Sequence, residues 1–198
     1  MTNDLQVTPD LVRGLWAHLS GFYHTRVVSK ANSTEMRVVA SALKLMGVLD
    51  AQVFMSDFVT TLWRTIYVPF KIGDERSSWS LWDQITVCVH EHQHVEQLIQ
   101  DGWLRFTTQY LTSSAKRAVY EAEAYRCDME LWFWKTGNLL NPGSLVKTLG
   151  NYNCKASDIR LAEHLLNFSA ITVKKGGVIN MASQLAIKYL EKHGVPTV

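Results

Sequence analysis

The sequence predicts a mainly α fold with a small β element, in one domain. Three observations point there. Apolar residues recur at helical spacing through most of the 198 residues, and the runs open on Ser, Thr or Asn. One stretch, Thr65-Ile66-Tyr67-Val68-Pro69-Phe70, has the β-branched and aromatic character of a strand. No repeat, low-complexity tract or linker divides the chain, and a composition of 47% hydrophobic and 19% charged residues is that of a globular domain with a core.

The elements follow in order. Thr8-Pro9-Asp10 starts the first helix, with Thr8 as cap and Pro9 in the first turn, where its missing N–H costs nothing. Leu11, Leu15, Trp16, Leu19 and Phe22 then keep helical spacing. A second helix is expected from about Thr34 to Gly47, capped by Ser33, with Met36, Val39, Ala40, Leu43 and Met46 on one face. The strand at Thr65 to Phe70 comes next. Pro69 cannot donate to a ladder, which suits an edge strand or a strand end. Lys71-Ile72-Gly73-Asp74 turns the chain, and Ser78 or Ser80 is placed to cap a long helix that ends at Gly102. Trp103 to Leu111 reads equally as a short helix or an extended piece. Thr112-Ser113-Ser114 caps a helix from about Ala115 to Lys135, closed by Gly137-Asn138, and Pro142-Gly143 marks a loop. Two more helices are expected. One is capped by Ser157 and runs to about Lys174; the other is capped by Asn180, runs to Lys192 and stops at Gly194.

Composition narrows the function classes. A net charge of +2, with Lys and Arg scattered, provides no basic stripe for nucleic acid. The segment Met1 to Asp10 is polar and acidic, without the apolar region of a signal peptide, and no apolar run reaches the roughly 18 residues that span a bilayer. The expectation is a protein that is cytoplasmic where made and has no membrane partner, with packaging into a virion left open. Cys88, Cys127 and Cys154 are odd in number and far apart, which fits reduced thiols better than a disulfide scaffold.

The chemistry lies in His90-Glu91-His92-Gln93-His94, which reads His-Glu-x-x-His. On a helix, residues four apart share a face, so His90 and His94 can present two imidazoles to one ion. Glu91 follows at the next position, where it can act on a water beside that ion. His92 falls about 200° round the helix from His90 and is read as a surface or supporting histidine, not a ligand. Gln97, seven residues after His90, returns to the same face and is placed to orient a ligand. His18, His24, His164 and His193 have no ligand spacing and read as structural. A catalytic zinc takes three protein ligands. The longer pattern that adds Gly and a third His is absent, because Gln97 and Gln100 stand at those positions. The third ligand therefore comes from elsewhere, and the helix holding Glu121 and Glu123 offers two carboxylates.

From about Thr65 to Asp128 the chain resembles the gluzincin branch of the zincin metallopeptidases, and looks like the short metallopeptidases of bacteria and their phages. The resemblance rests on the strand before the motif helix, on His-Glu-x-x-His-x-x-Gln and on Glu121-Ala122-Glu123-Ala124. It implies a zincin-like domain over residues 1–198, with a motif core at about 62–137 and C-terminal helices at about 144–194. It implies Zn2+ held by His90, His94 and a Glu on the later helix. In several gluzincin groups that Glu stands in Glu-x-x-Ala-Asp; this register favours Glu121 over Glu123, with Tyr125 where the family has Asp. The implied activity is hydrolysis of a peptide or protein substrate, with zinc activating a water and Glu91 as general base. Tyr110, Tyr120 and Tyr125 are candidates for the oxyanion donor that such chemistry needs, and the strand at Ile66 to Val68 for binding substrate backbone by strand addition. The alternative is a virion or assembly protein with a zincin-like fold, a retained or vestigial metal site and protein assembly partners.

Overall fold

A computed structural model of the chain describes residues 6–45 and 51–194. Among these, nine α-helices surround a three-stranded sheet. The helices are α1 (Pro9–Tyr23), α2 (Thr34–Leu45), α3 (Ala51–Asp57), α4 (Leu81–Asp101), α5 (Trp103–Thr112), α6 (Ser114–Thr136), α7 (Pro142–Leu145), α8 (Ala156–Val173) and α9 (Met181–His193); the strands are β1 (Arg26–Ser29), β2 (Thr60–Leu62) and β3 (Thr65–Val68). The fold is mainly α with a small β element, as expected.

Local chemistry sets most boundaries. Thr8 accepts from the Leu11 amide at the start of α1. Ser33 Oγ accepts from the Met36 amide at the start of α2, whose expected end at Gly47 lies outside the described residues. Ser80, rather than Ser78, caps α4 in a reciprocal box with Asp83. Gly102, at φ +79°, separates α4 from α5 in a backbone conformation that a side chain would strain. The ambiguous segment after it is thus helical, and its one buried side chain, Phe106, packs on Tyr120. Two expected caps are corrected. Ser157 lies inside α8 and bonds the neighbouring Asp158, while the Lys155 amide before that helix donates to Ser114. Asn180 precedes α9, but its side chain donates to the Glu123 carbonyl instead of capping.

The sheet order is β1-β3-β2, with β1 parallel and β2 antiparallel to β3. This corrects the reading of Ile66 to Val68 as a sheet edge open to substrate. β3 is central, and Pro69 stands just past its end. Alternation explains the placement: Ile66 and Val68 enter the core with α1, α4 and α9, while Tyr67 points the other way onto Met36, Ala40 and Phe54. The free edge nearest α4 belongs to β2.

The main core is built from Leu11, Leu15 and Leu19 of α1, Ile85 and Val89 of α4, and Ala186 and Leu190 of α9. A second cluster joins α6 to α8 through Ala122, Met129, Ala162 and Leu166. α6 therefore lies between α4 and α8, its burial running round most of the helix. The facing sides of α4 and α6 carry buried polar side chains as well as apolar ones.

Candidate metal centre

Those polar side chains are His90 and His94 of α4 and Glu121 of α6. One donor atom from each lies within 4.8 Å of the others, and all three residues are buried. His90 Nε2 is 3.5 Å from Glu121 Oε2, and His94 Nε2 is 3.5 Å from Glu121 Oε1. Glu123 is not among them. It is exposed and accepts at 2.8 Å from Gln97 Nε2.

The outer nitrogen of each histidine is tied down. Gln97 Nε2 donates to Glu123 and, at 2.9 Å, to the Tyr120 carbonyl, which leaves Gln97 Oε1 facing His94 Nδ1 at 2.9 Å as an acceptor. Nδ1 must then carry the hydrogen, and Nε2 turns its lone pair toward Glu121. Asp128 Oδ2 stands 3.4 Å from His90 Nδ1 and sets that ring the same way. Asp128 was missed in the sequence. The signal was there: it lies seven residues after Glu121, on the same face of α6. Tyr125, at the position of the family Asp, instead packs its ring edge-on against His90.

Tyr110 reaches across from α5 and donates to Glu121 Oε1 at 2.5 Å. Glu121 Oε2 has no hydrogen-bond partner, although the side chain is 1% exposed. Burial alone would raise the Glu121 pKa, but the His94 and His90 imidazoles and the Tyr110 hydroxyl overcome it and hold the carboxyl at about 2. Burial likewise favours a neutral His90, yet Asp128 and then Glu121 outweigh it and keep this imidazole well above its ordinary value. Without a metal, the proton on His90 partly answers the negative charge. A metal cation at the same point would answer it more fully and supply the partner that Oε2 lacks. Two imidazole nitrogens and a carboxylate oxygen, aimed together and braced from behind, fit a divalent metal ion.

Glu91 is 6% exposed and accepts at 2.6 Å from the Thr61 hydroxyl. Thr61 pairs with Ile66 in the sheet, so edge strand β2 holds Glu91 in place. His90 and Glu91 both line a cavity of about 610 Å3, along with Tyr125, Asp128 and Tyr152.

The expected oxyanion donors are otherwise engaged. Tyr110 serves Glu121, Tyr120 bonds Asp101 and Gln109, and Tyr125 bonds Thr148. Tyr152 lines the cavity, and its hydroxyl makes no hydrogen bond among the described residues. Burial first, then Glu121, Tyr125, Glu91 and Asp128, push its pKa well above the usual value, so it remains a donor. It lies in the turn between Gly150 and α8, where no periodicity marks it.

His92 points away from the metal group, as its spacing requires, but the surface reading is corrected. It is fully buried against Trp16 and Tyr23, with Nδ1 2.7 Å from the Cys88 carbonyl and Nε2 3.0 Å from the Thr25 hydroxyl. Burial, opposed by the Cys88 carbonyl, lowers its pKa to about 4 and keeps it neutral. His18 and His193 both stack on Tyr189.

Comparison with known protein families, curated proteins and solved structures finds no match for this chain. No helix among the described residues is long and apolar enough to cross a membrane.

Proposed function

We propose that the chain is a zinc-dependent peptidase. The observation that carries this reading is the buried Glu121 carboxylate, which turns one oxygen to each of two imidazoles and leaves Oε2 without a hydrogen-bond partner, while the outer nitrogens of those imidazoles are held by Gln97 and Asp128. Two imidazoles and one carboxylate are a donor set that catalytic zinc takes, with a fourth position left for water.

Zinc would supply the Lewis acidity that activates a water and polarises a substrate carbonyl. The chain's own residues do the rest. Glu91 takes the water proton and delivers it to the leaving amine, oriented for this by Thr61. Tyr152 donates to the carbonyl oxygen as negative charge develops there. The free edge of β2 offers backbone groups to an extended substrate. The test is a peptide library incubated with zinc-loaded protein and read by mass spectrometry. Glu91→Gln should keep zinc and lose cleavage by at least about 100-fold; equal turnover in that variant would sink the mechanism.

A second reading, an assembly protein that retains the metal, is favoured by one observation. Leu161, Leu165, Phe168 and Ile171 lie along one side of α8 and are all exposed, Phe168 at 72%. A molar mass in solution above that of one chain, in protein that cleaves nothing in the library, would support it.

A further inference from the structure

We propose that the cleft beside His90 and Glu91 selects peptides with a cationic group next to the scissile bond, either a Lys or Arg side chain or a free amino terminus. This rests on the peptidase reading and names its substrate class. Four carboxylates line the cavity, those of Asp57, Asp83, Glu91 and Asp128, and among the described residues no Lys or Arg does. A divalent metal held there would be balanced by Glu121 and Glu91. The charge of Asp57, Asp83 and Asp128 is left over.

One of these three, Asp128, has an unsatisfied buried oxygen, while Asp57 and Asp83 are exposed at the mouth of the cleft. Asp128 turns Oδ2 to His90, but its Oδ1 is buried without a hydrogen-bond partner, in a residue only 9% exposed on the cavity wall. Asp57 is the last residue of α3, where the negative end of the helix dipole disfavours a carboxylate, and its side chain makes no hydrogen bond or ion pair among the described residues. Asp83 does have a structural task, the capping of α4, and its charge adds to the cleft.

The cations nearest in effect are committed elsewhere. Lys30 feels Glu91, but its Nζ is fully buried and donates to the carbonyls of Phe54 and Phe58 and to Thr60. Lys135 feels Asp83, but its Nζ lies 3.9 Å over the Trp82 ring. Phe58, Trp79 and Tyr152 also line the cavity, and aromatic rings are side chains beside which an ammonium or guanidinium group is accommodated. An acidic substrate meets repulsion throughout the same cleft.

The test uses four peptide hydroxamates of equal length, titrated by calorimetry onto zinc-loaded, full-length protein. Three are N-acetylated and differ at one residue beside the hydroxamate: lysine, uncharged norleucine or glutamate. The fourth has norleucine and a free amino terminus. Lysine should bind about 10-fold tighter than acetylated norleucine, and glutamate weaker than either. A gain confined to the free-amine peptide would place the cation at the amino terminus instead of a side chain. In the Asp57→Asn/Asp83→Asn double variant, which keeps an oxygen to cap α4, the advantage should shrink to about twofold. Equal affinities for all three acetylated peptides, with no gain from the free amine, overturn the proposal, as does an advantage unchanged in the double variant. Failure of the peptidase reading looks different: no hydroxamate binds although zinc content is confirmed. In that case the corresponding peptide amides, followed by NMR on EDTA-treated protein, still decide whether the cleft prefers the cation.

Discussion

At the scale of the residue, the site depends on what stands behind the ligands. His94 is aimed by Gln97, His90 by Asp128, and Glu121 by Tyr110. Asp128→Asn and Gln97→Leu should each weaken zinc binding by about 10- to 100-fold while the chain stays folded, measured by competition with a fluorescent chelator. Unchanged affinity in both would show that the rings need no such support. If the chain is the proposed peptidase, Tyr152→Phe should lower kcat by about 100-fold with little change in KM, because the proposed role of the phenol is to donate as charge develops and not in ground-state binding. Much of this centre was legible in the sequence. The i, i+4 spacing of His90 and His94 and the return of Gln97 to the same face are helix geometry read from letters, while the choice of Glu121 over Glu123 came from the resemblance to the gluzincins. Asp128 was legible in principle at i+7 from Glu121. Tyr152 was not, because a turn residue reaches the cavity by a chain path that no local pattern encodes.

At the scale of the element, β2 and α3 show where reading stopped. Thr60–Leu62 and Ala51–Asp57 are too short to carry a period. β2 pairs with β3 across Trp63 and Arg64, and Lys30, distant in sequence, ties it to α3. Its ammonium closes the C-terminal end of α3 through Phe54 and Phe58, lies over the Phe54 ring and bonds Thr60 at the start of β2. β2 in turn holds Glu91 through Thr61. Burial, with Glu91 opposing, lowers the Lys30 pKa from the ordinary 10.5 to about 7. Between these values the unfolded chain binds more protons than the folded one, so stability rises as pH rises from about 7 toward 10.5; below about 7 the penalty is complete. Urea unfolding of the native protein against Lys30→Met at pH 7 and pH 9.5 should show this as a native-protein gain that the variant lacks. Equal pH slopes would remove Lys30 from the account. The expected edge strand failed for a related reason. Periodicity finds a strand but not its neighbours, and β3 became central only because β1 and β2 pair on either side of it.

At the scale of the whole molecule, the main core fixes α4 against α1 and α9, the second cluster fixes α6 against α8, and the metal group lies where α4 and α6 meet. The predominance of helix was legible from capped, periodic segments. The need for a third ligand brought α6 back over α4, but its packing on α8 was not legible, since α6 is buried on most sides and its pattern names no single partner. The central claim is that this meeting of helices holds one zinc ion through His90, His94 and Glu121. Elemental analysis of protein purified without chelators and without an affinity tag tests it most directly. The account predicts one zinc per chain, lost in Glu121→Gln and kept in Glu123→Gln. Protein that binds no zinc even when it is supplied, or metal that survives Glu121→Gln and is lost in Glu123→Gln, would contradict it.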